Sequence, residues 1–108
     1  MKKAFLIIIS LFLVACAQQA QQPAGAADVT VTIKDFKFIP DTINVKVGQT
    51  IKWTNEDSAI HTVEAANKAF TSKELYQGDS FTWTADKQGA YEYICGLHPN
   101  MKGKVIVE

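Results

Sequence analysis

The sequence predicts an all-β fold, a Greek-key antiparallel β-sandwich of seven to eight short strands. Three observations carry that expectation. Apolar and polar residues alternate with period two in Val29-Thr30-Val31-Thr32-Ile33, Ile43-Asn44-Val45-Lys46-Val47 and Ile51-Lys52-Trp53-Thr54, the pattern of half-buried strands. Further β-rich runs follow at Thr62-Val63, Ser80 to Thr84, Ala90 to Ile94 and Lys104 to Val107, punctuated by Gly78, Gly89 and Gly103. Only Ala65 to Tyr76 has room for a helical turn, and it reads as mostly loop.

Ahead of the strands, Met1-Lys2-Lys3 gives a positive start and Phe5 to Ala15 an apolar run broken only by Ser10, followed by Cys16. Residues 1–15 therefore read as an export signal. About 11 apolar residues fall short of the roughly 20 that a spanning helix needs. Leu13-Val14-Ala15-Cys16 resembles a bacterial lipobox, which implies cleavage before Cys16 and lipidation of that cysteine. The expected product is an exported, membrane-anchored lipoprotein facing the periplasm or the cell exterior. Ala17 to Ala27 is small and uncharged, with no large apolar side chain to bury. It reads as a flexible tether, at most about 36 Å long when stretched.

Residues 28–108 then form one small domain. The whole chain of 108 residues balances 11 basic against 11 acidic side chains. Loss of Lys2 and Lys3 with the leader leaves a net charge of about −2. Every cation is a lysine and none clusters, which argues against nucleic acid as a partner. A disulfide between Cys16 and Cys95 is not expected, because Cys16 belongs to the leader junction and Cys95 to a ligand set.

In that ligand set Cys95, His98 and Met101 stand three residues apart in Cys-Gly-Leu-His-Pro-Asn-Met, and the one other histidine is His61. One thiolate, two imidazoles and one thioether are the ligands of an electron-transfer copper centre. The soft sulfurs favour Cu(I) and the imidazoles suit both oxidation states. A spacing of three along a strand would send Cys95 and His98 to opposite faces, so the expectation is a loop wrapped around one copper ion. Pro99 fits it by disfavouring helix at His98, and Gly96 by lending flexibility after Cys95. Zinc is the main competing metal, but a thioether suits it poorly. A Greek key explains how His61 can reach the others, by setting one strand's start beside the loop joining the last two.

The stretch Tyr91 to Gly103, with Val45 to Asn55 and His61 upstream, resembles the cupredoxins, and its short ligand loop is most similar to that of amicyanin. The resemblance spans residues 29–108. It implies a type 1, or blue, copper site with His61, Cys95 and His98 as equatorial ligands and Met101 as the weak axial one. Thr62 departs from the asparagine that many cupredoxins carry after the first histidine, and its hydroxyl is expected to act as a donor behind the ligands, with Pro99 supporting the loop.

The implied function is a lipid-anchored, monomeric carrier passing single electrons between a redox donor and a redox acceptor protein, with no enzymatic activity. His61 should lie deeper than His98, which is the expected electron port, ringed by Leu97, Pro99 and Asn100 as a docking surface. A copper storage or delivery lipoprotein is the alternative, and a metal-free adhesive sandwich a third reading. Paired His-x-His segments, needed by multicopper oxidases, are absent from the sequence. Trp53, Trp83, Phe36, Phe38, Phe81, Tyr91 and Tyr93 are expected to pack in the core or on sheet faces, and Glu56 and Asp57 to be solvated turn residues.

Overall fold

Eight strands build two four-stranded sheets in the computed structural model, which describes residues 27–108. The expected export signal, the lipidation expected at Cys16 and the expected tether through residue 26 lie outside the described residues. One sheet runs β2 (Lys37–Ile39), β1 (Val29–Lys34), β4 (Thr50–Asn55), β6 (Ser80–Thr84). The other runs β3 (Thr42–Val45), β8 (His98–Val107), β7 (Gly89–Cys95), β5 (Glu64–Ala65). The all-β sandwich is as the alternation predicted.

The period-two pattern decides which side chains meet between the sheets. Val31, Ile33, Ile51 and Trp53 point inward from one sheet, and Ile43, Val45, Tyr91, Tyr93, Val105 and Val107 from the other. Burial of these large apolar side chains is the main force closing the sandwich, at about 1.5–3 kcal/mol for each aliphatic one. Trp53 lies at the centre, with Phe70, Phe81 and Tyr93 ring centroids 5.3 to 5.6 Å away. The expectation that the aromatic residues serve packing holds for Trp53, Phe38, Tyr91 and Tyr93, which are buried.

Pairing is mixed. β1 runs parallel to β4 and β3 parallel to β8, while the remaining pairs are antiparallel. The turn at Gly48 does not close a hairpin. Gln49 N–H donates to Lys46 C=O at 3.0 Å with Gly48 at φ 93°, a turn that requires a residue without Cβ, and it carries the chain from β3 in one sheet to β4 in the other. Thr62-Val63 lies just before a strand, since β5 begins at Glu64. The segment 65–76 forms turns and isolated bridges without helix.

Two further differences shape the metal centre. β2 had no signal in the sequence, being only three residues long, and its hairpin with β1 turns through Asp35 and Phe36 at φ 53° and 57°. The last strand begins at His98, earlier than expected. Cys95 and His98 face each other across a two-residue turn, Gly96-Leu97. Residues directly opposite in a hairpin project to the same face, so the two ligands converge without a long loop. Pro99 is accommodated in β8 because the pairing with β3 starts only at Lys104 and the register with β7 is irregular between Ile94 and Cys95, where no ladder hydrogen bond is required of it.

Candidate metal centre

His61 is placed by a buried asparagine. Asn55, at the inward-facing end of β4, donates from Nδ2 to the carbonyls of Ala59 (2.9 Å) and Leu75 (2.8 Å). Its Oδ1 accepts the Asp57 N–H at 2.9 Å. A buried amide satisfied on three sides fixes the turn around it. His61 is then pinned by paired backbone bonds with Leu75, 3.1 Å from its own N–H and 2.7 Å to its carbonyl.

Asp57 orients the imidazole. His61 Nε2 lies 2.8 Å from Asp57 Oδ2, so the ring carries its proton on Nε2 and turns Nδ1 towards the thiol. This is the carboxylate–histidine arrangement that fixes the tautomer and ring orientation of a metal ligand. The same carboxylate accepts the N–H groups of Asp35 (2.8 Å) and Phe36 (3.0 Å), which offsets the strain of two left-handed residues, about 1–2 kcal/mol each. Desolvation works against ionisation of Asp57, but the Phe36 N–H, the His61 ring and the Asp35 N–H outweigh it and hold the carboxyl below its ordinary value. The expectation that Asp57 is merely solvated is therefore corrected. It is a hub joining a ligand to the β1–β2 turn.

Cys95 ends β7, buried and without a disulfide among the described residues. Its Sγ is 3.7 Å from His61 Nδ1 and 3.5 Å from His98 Nδ1. The three donor atoms lie within 4.8 Å of one another. An ion bound at about 2.3 Å from sulfur and about 2.0 Å from nitrogen, with angles of about 110–120°, sets the sulfur about 3.5–3.7 Å from each nitrogen. The donors thus fit one ion. Met101, three residues beyond His98, is buried in β8. His61 is fully buried and His98 only partly, in the order of depth that the sequence predicted.

Behind the sulfur, Thr62 N–H approaches Cys95 Sγ at 3.3 Å. The Thr62 hydroxyl accepts the Gly96 N–H at 2.8 Å and donates to Glu64 Oε2 at 2.7 Å. Gly96 is not left-handed. A Cβ there would meet the end of the Glu64 side chain, which would have to move aside to admit it.

The expectation that Phe36 packs in the core or on a sheet face is corrected. Its ring stands edge-on to both imidazoles, with centroids 5.2 Å from His61 and 5.0 Å from His98, and is 52% exposed. It covers the ligands and belongs to no core. The signal was hidden because a turn of Asp-Phe gives no hairpin motif. Leu97 is 49% exposed, and Pro99 and Asn100 are exposed beside it.

Comparison with known proteins accords with this geometry. The family model of the cupredoxin-like domain matches residues 5–107. The chain belongs to the cupredoxin-like family. Among its relatives, this cupredoxin is 33% identical over 100 residues to amicyanin of Paracoccus versutus, covering 82% of this chain and 75% of that one. It is 34% identical to amicyanin-alpha of Methylorubrum extorquens, over 89% and 85% of the two chains. A solved amicyanin mutant in its reduced state superposes with a TM-score of 0.71 at 31% identity, over 82% of this chain and 88% of that one. In this cupredoxin His61, Cys95, His98 and Met101 make up a type 1 copper site.

Proposed function

We propose that the protein carries single electrons between a donor and an acceptor redox protein, held at a membrane surface through a lipid on Cys16. The observation that supports it best is the pair of imidazole Nδ1 atoms at 3.7 and 3.5 Å from one buried thiol, in a family member whose Met101, three residues beyond His98, is buried. Copper bound there supplies a one-electron Cu(II)/Cu(I) couple. Cys95, His61 and His98 would hold the ion as its strong donors, and Met101 would offer a weak thioether donor. No substrate bond is broken.

The protein's part is to keep the ligands still. Asp57 holds the His61 ring, Thr62 N–H holds the sulfur, and Phe36 limits water at both imidazoles. A site that changes little between oxidation states exchanges electrons without large rearrangement. His98 is the electron port, and Leu97, Pro99 and Asn100 form the docking surface with Phe36 beside them. A small apolar patch suits brief encounters. Export signal, tether and anchor complete the reading, with the domain monomeric and within reach of several partners.

The copper-delivery alternative is less well supported. Easy hand-over calls for exposed soft ligands, whereas Cys95, His61 and Met101 are buried and, apart from His98 and the first residue, the sequence holds no other histidine or methionine. The docking surface is tested by Leu97→Glu, which places an uncompensated charge in the apolar patch. Electron exchange with the physiological partner should slow by about tenfold or more with the visible spectrum intact. An unchanged rate would remove Leu97 from the docking face.

A further inference from the structure

We propose that Glu64 is a positioning residue of the copper site, which diverts the Thr62 hydroxyl proton away from the Cys95 sulfur and so holds the reduction potential down; the proposal rests on the carrier reading. A hydroxyl has one proton to give. Thr62 Oγ1 lies 2.7 Å from Glu64 Oε2 but 4.0 Å from Cys95 Sγ, so the proton goes to the carboxylate. The sulfur is left with one backbone donor, the Thr62 N–H at 3.3 Å.

The arrangement is built on both sides. Glu64 opens β5 and pairs with Ile94, next to Cys95, and its backbone also bridges Thr71. Its carboxylate lies against Gly96, where any side chain would displace it. The oriented hydroxyl presents a lone pair to the Gly96 N–H at 2.8 Å. Glu64, Thr62 and Gly96 thus form one chain of donors and acceptors that clamps the turn joining Cys95 to His98.

Two electronic consequences follow. Hydrogen bonding around the cysteine sulfur is one of the levers on such a potential. A second donor to the thiolate draws electron density from it, weakens its donation to the metal and favours Cu(I). A carboxylate near the site acts in the same sense as a missing donor, because its negative charge favours Cu(II). With Glu64 present both influences keep the potential low.

The test uses Glu64→Ala and Glu64→Gln, each alone and with Thr62→Val. In copper-loaded protein, Glu64→Ala should raise the potential and move the thiolate band to higher energy, because the freed hydroxyl turns to the sulfur. Adding Thr62→Val should reverse the band shift and part of the rise. Glu64→Gln keeps the acceptor and loses the charge, so the potential should rise with the band unmoved. In metal-free protein, Gly96 amide exchange should accelerate about tenfold in Glu64→Ala and stay protected in Glu64→Gln. If Glu64→Ala leaves potential, band and Gly96 exchange as in the parent, or if Thr62→Val does not alter its effect, the proposal is overturned. A parent protein that forms no thiolate band would instead overturn the carrier reading, and Gly96 exchange in the metal-free chain would still decide whether Glu64 positions the turn.

Discussion

Asp57 shows what a single side chain contributes to this centre. Its two oxygens take three hydrogen bonds, from His61, Asp35 and Phe36, so one carboxylate fixes a ligand ring and the turn that covers it. Asp57→Ala should weaken copper binding by about 10–100-fold, as loss of such partners does elsewhere, and a competition titration with a chelator of known affinity reads it. Met101 acts differently. If Met101 has the proposed weak axial role, Met101→Leu should retain copper and raise the reduction potential, as cyclic voltammetry would show. Loss of the metal would contradict an axial role. At this scale the sequence revealed the ligands through chemistry and scarcity, since the chain has only two histidines. It concealed Asp57 and Phe36 because their roles depend on a left-handed turn 21 and 22 residues from Asp57, and carboxylates in turns are usually only solvated.

Among the elements, β7 and β8 matter most, because their hairpin carries Cys95, His98 and Met101. Tyr93 faces Gly103 across that hairpin, and its ring occupies the space a Cβ at 103 would need. Gly103→Ala should therefore destabilise the fold by about 1–3 kcal/mol, as overpacking does, and denaturant unfolding of the metal-free protein measures it. Alternation made β1, β3, β4 and the end of β8 legible. It could not say that β1 and β4, or β3 and β8, run parallel, because period two reports which face is buried and not which neighbour is paired. The early start of β8 was hidden by Pro99, which reads as a strand breaker until one sees that β3 pairs only from Lys104 onward.

For the whole molecule, stability and copper binding are linked. A folded domain of about 80 residues has a modest core, and an ion bound only by the native state adds about 2.7 kcal/mol at a free concentration of 100 Kd. The alkaline limit of the metal-free fold is set in part by Tyr93. Desolvation by burial, with the Asp41 charge adding to it and the Trp53 indole partly opposing it, pushes the phenol up to about 12 from an ordinary 10. Below pH 10 the phenol is protonated in folded and unfolded chains alike and contributes no slope. Between pH 10 and 12 only the unfolded chain loses the proton, so stability should fall by about 2–3 kcal/mol in total. Urea midpoints across that range test it, and Tyr93→Phe should flatten the decline.

The central claim is that one copper ion cycles between two oxidation states at Cys95, and visible absorption with copper spin resonance addresses it most directly. Residues 17–108, loaded with Cu(II), should show an intense thiolate band that bleaches on mild reduction and returns on reoxidation. A colourless protein that binds Cu(I) alone, or one that binds neither ion, would contradict it.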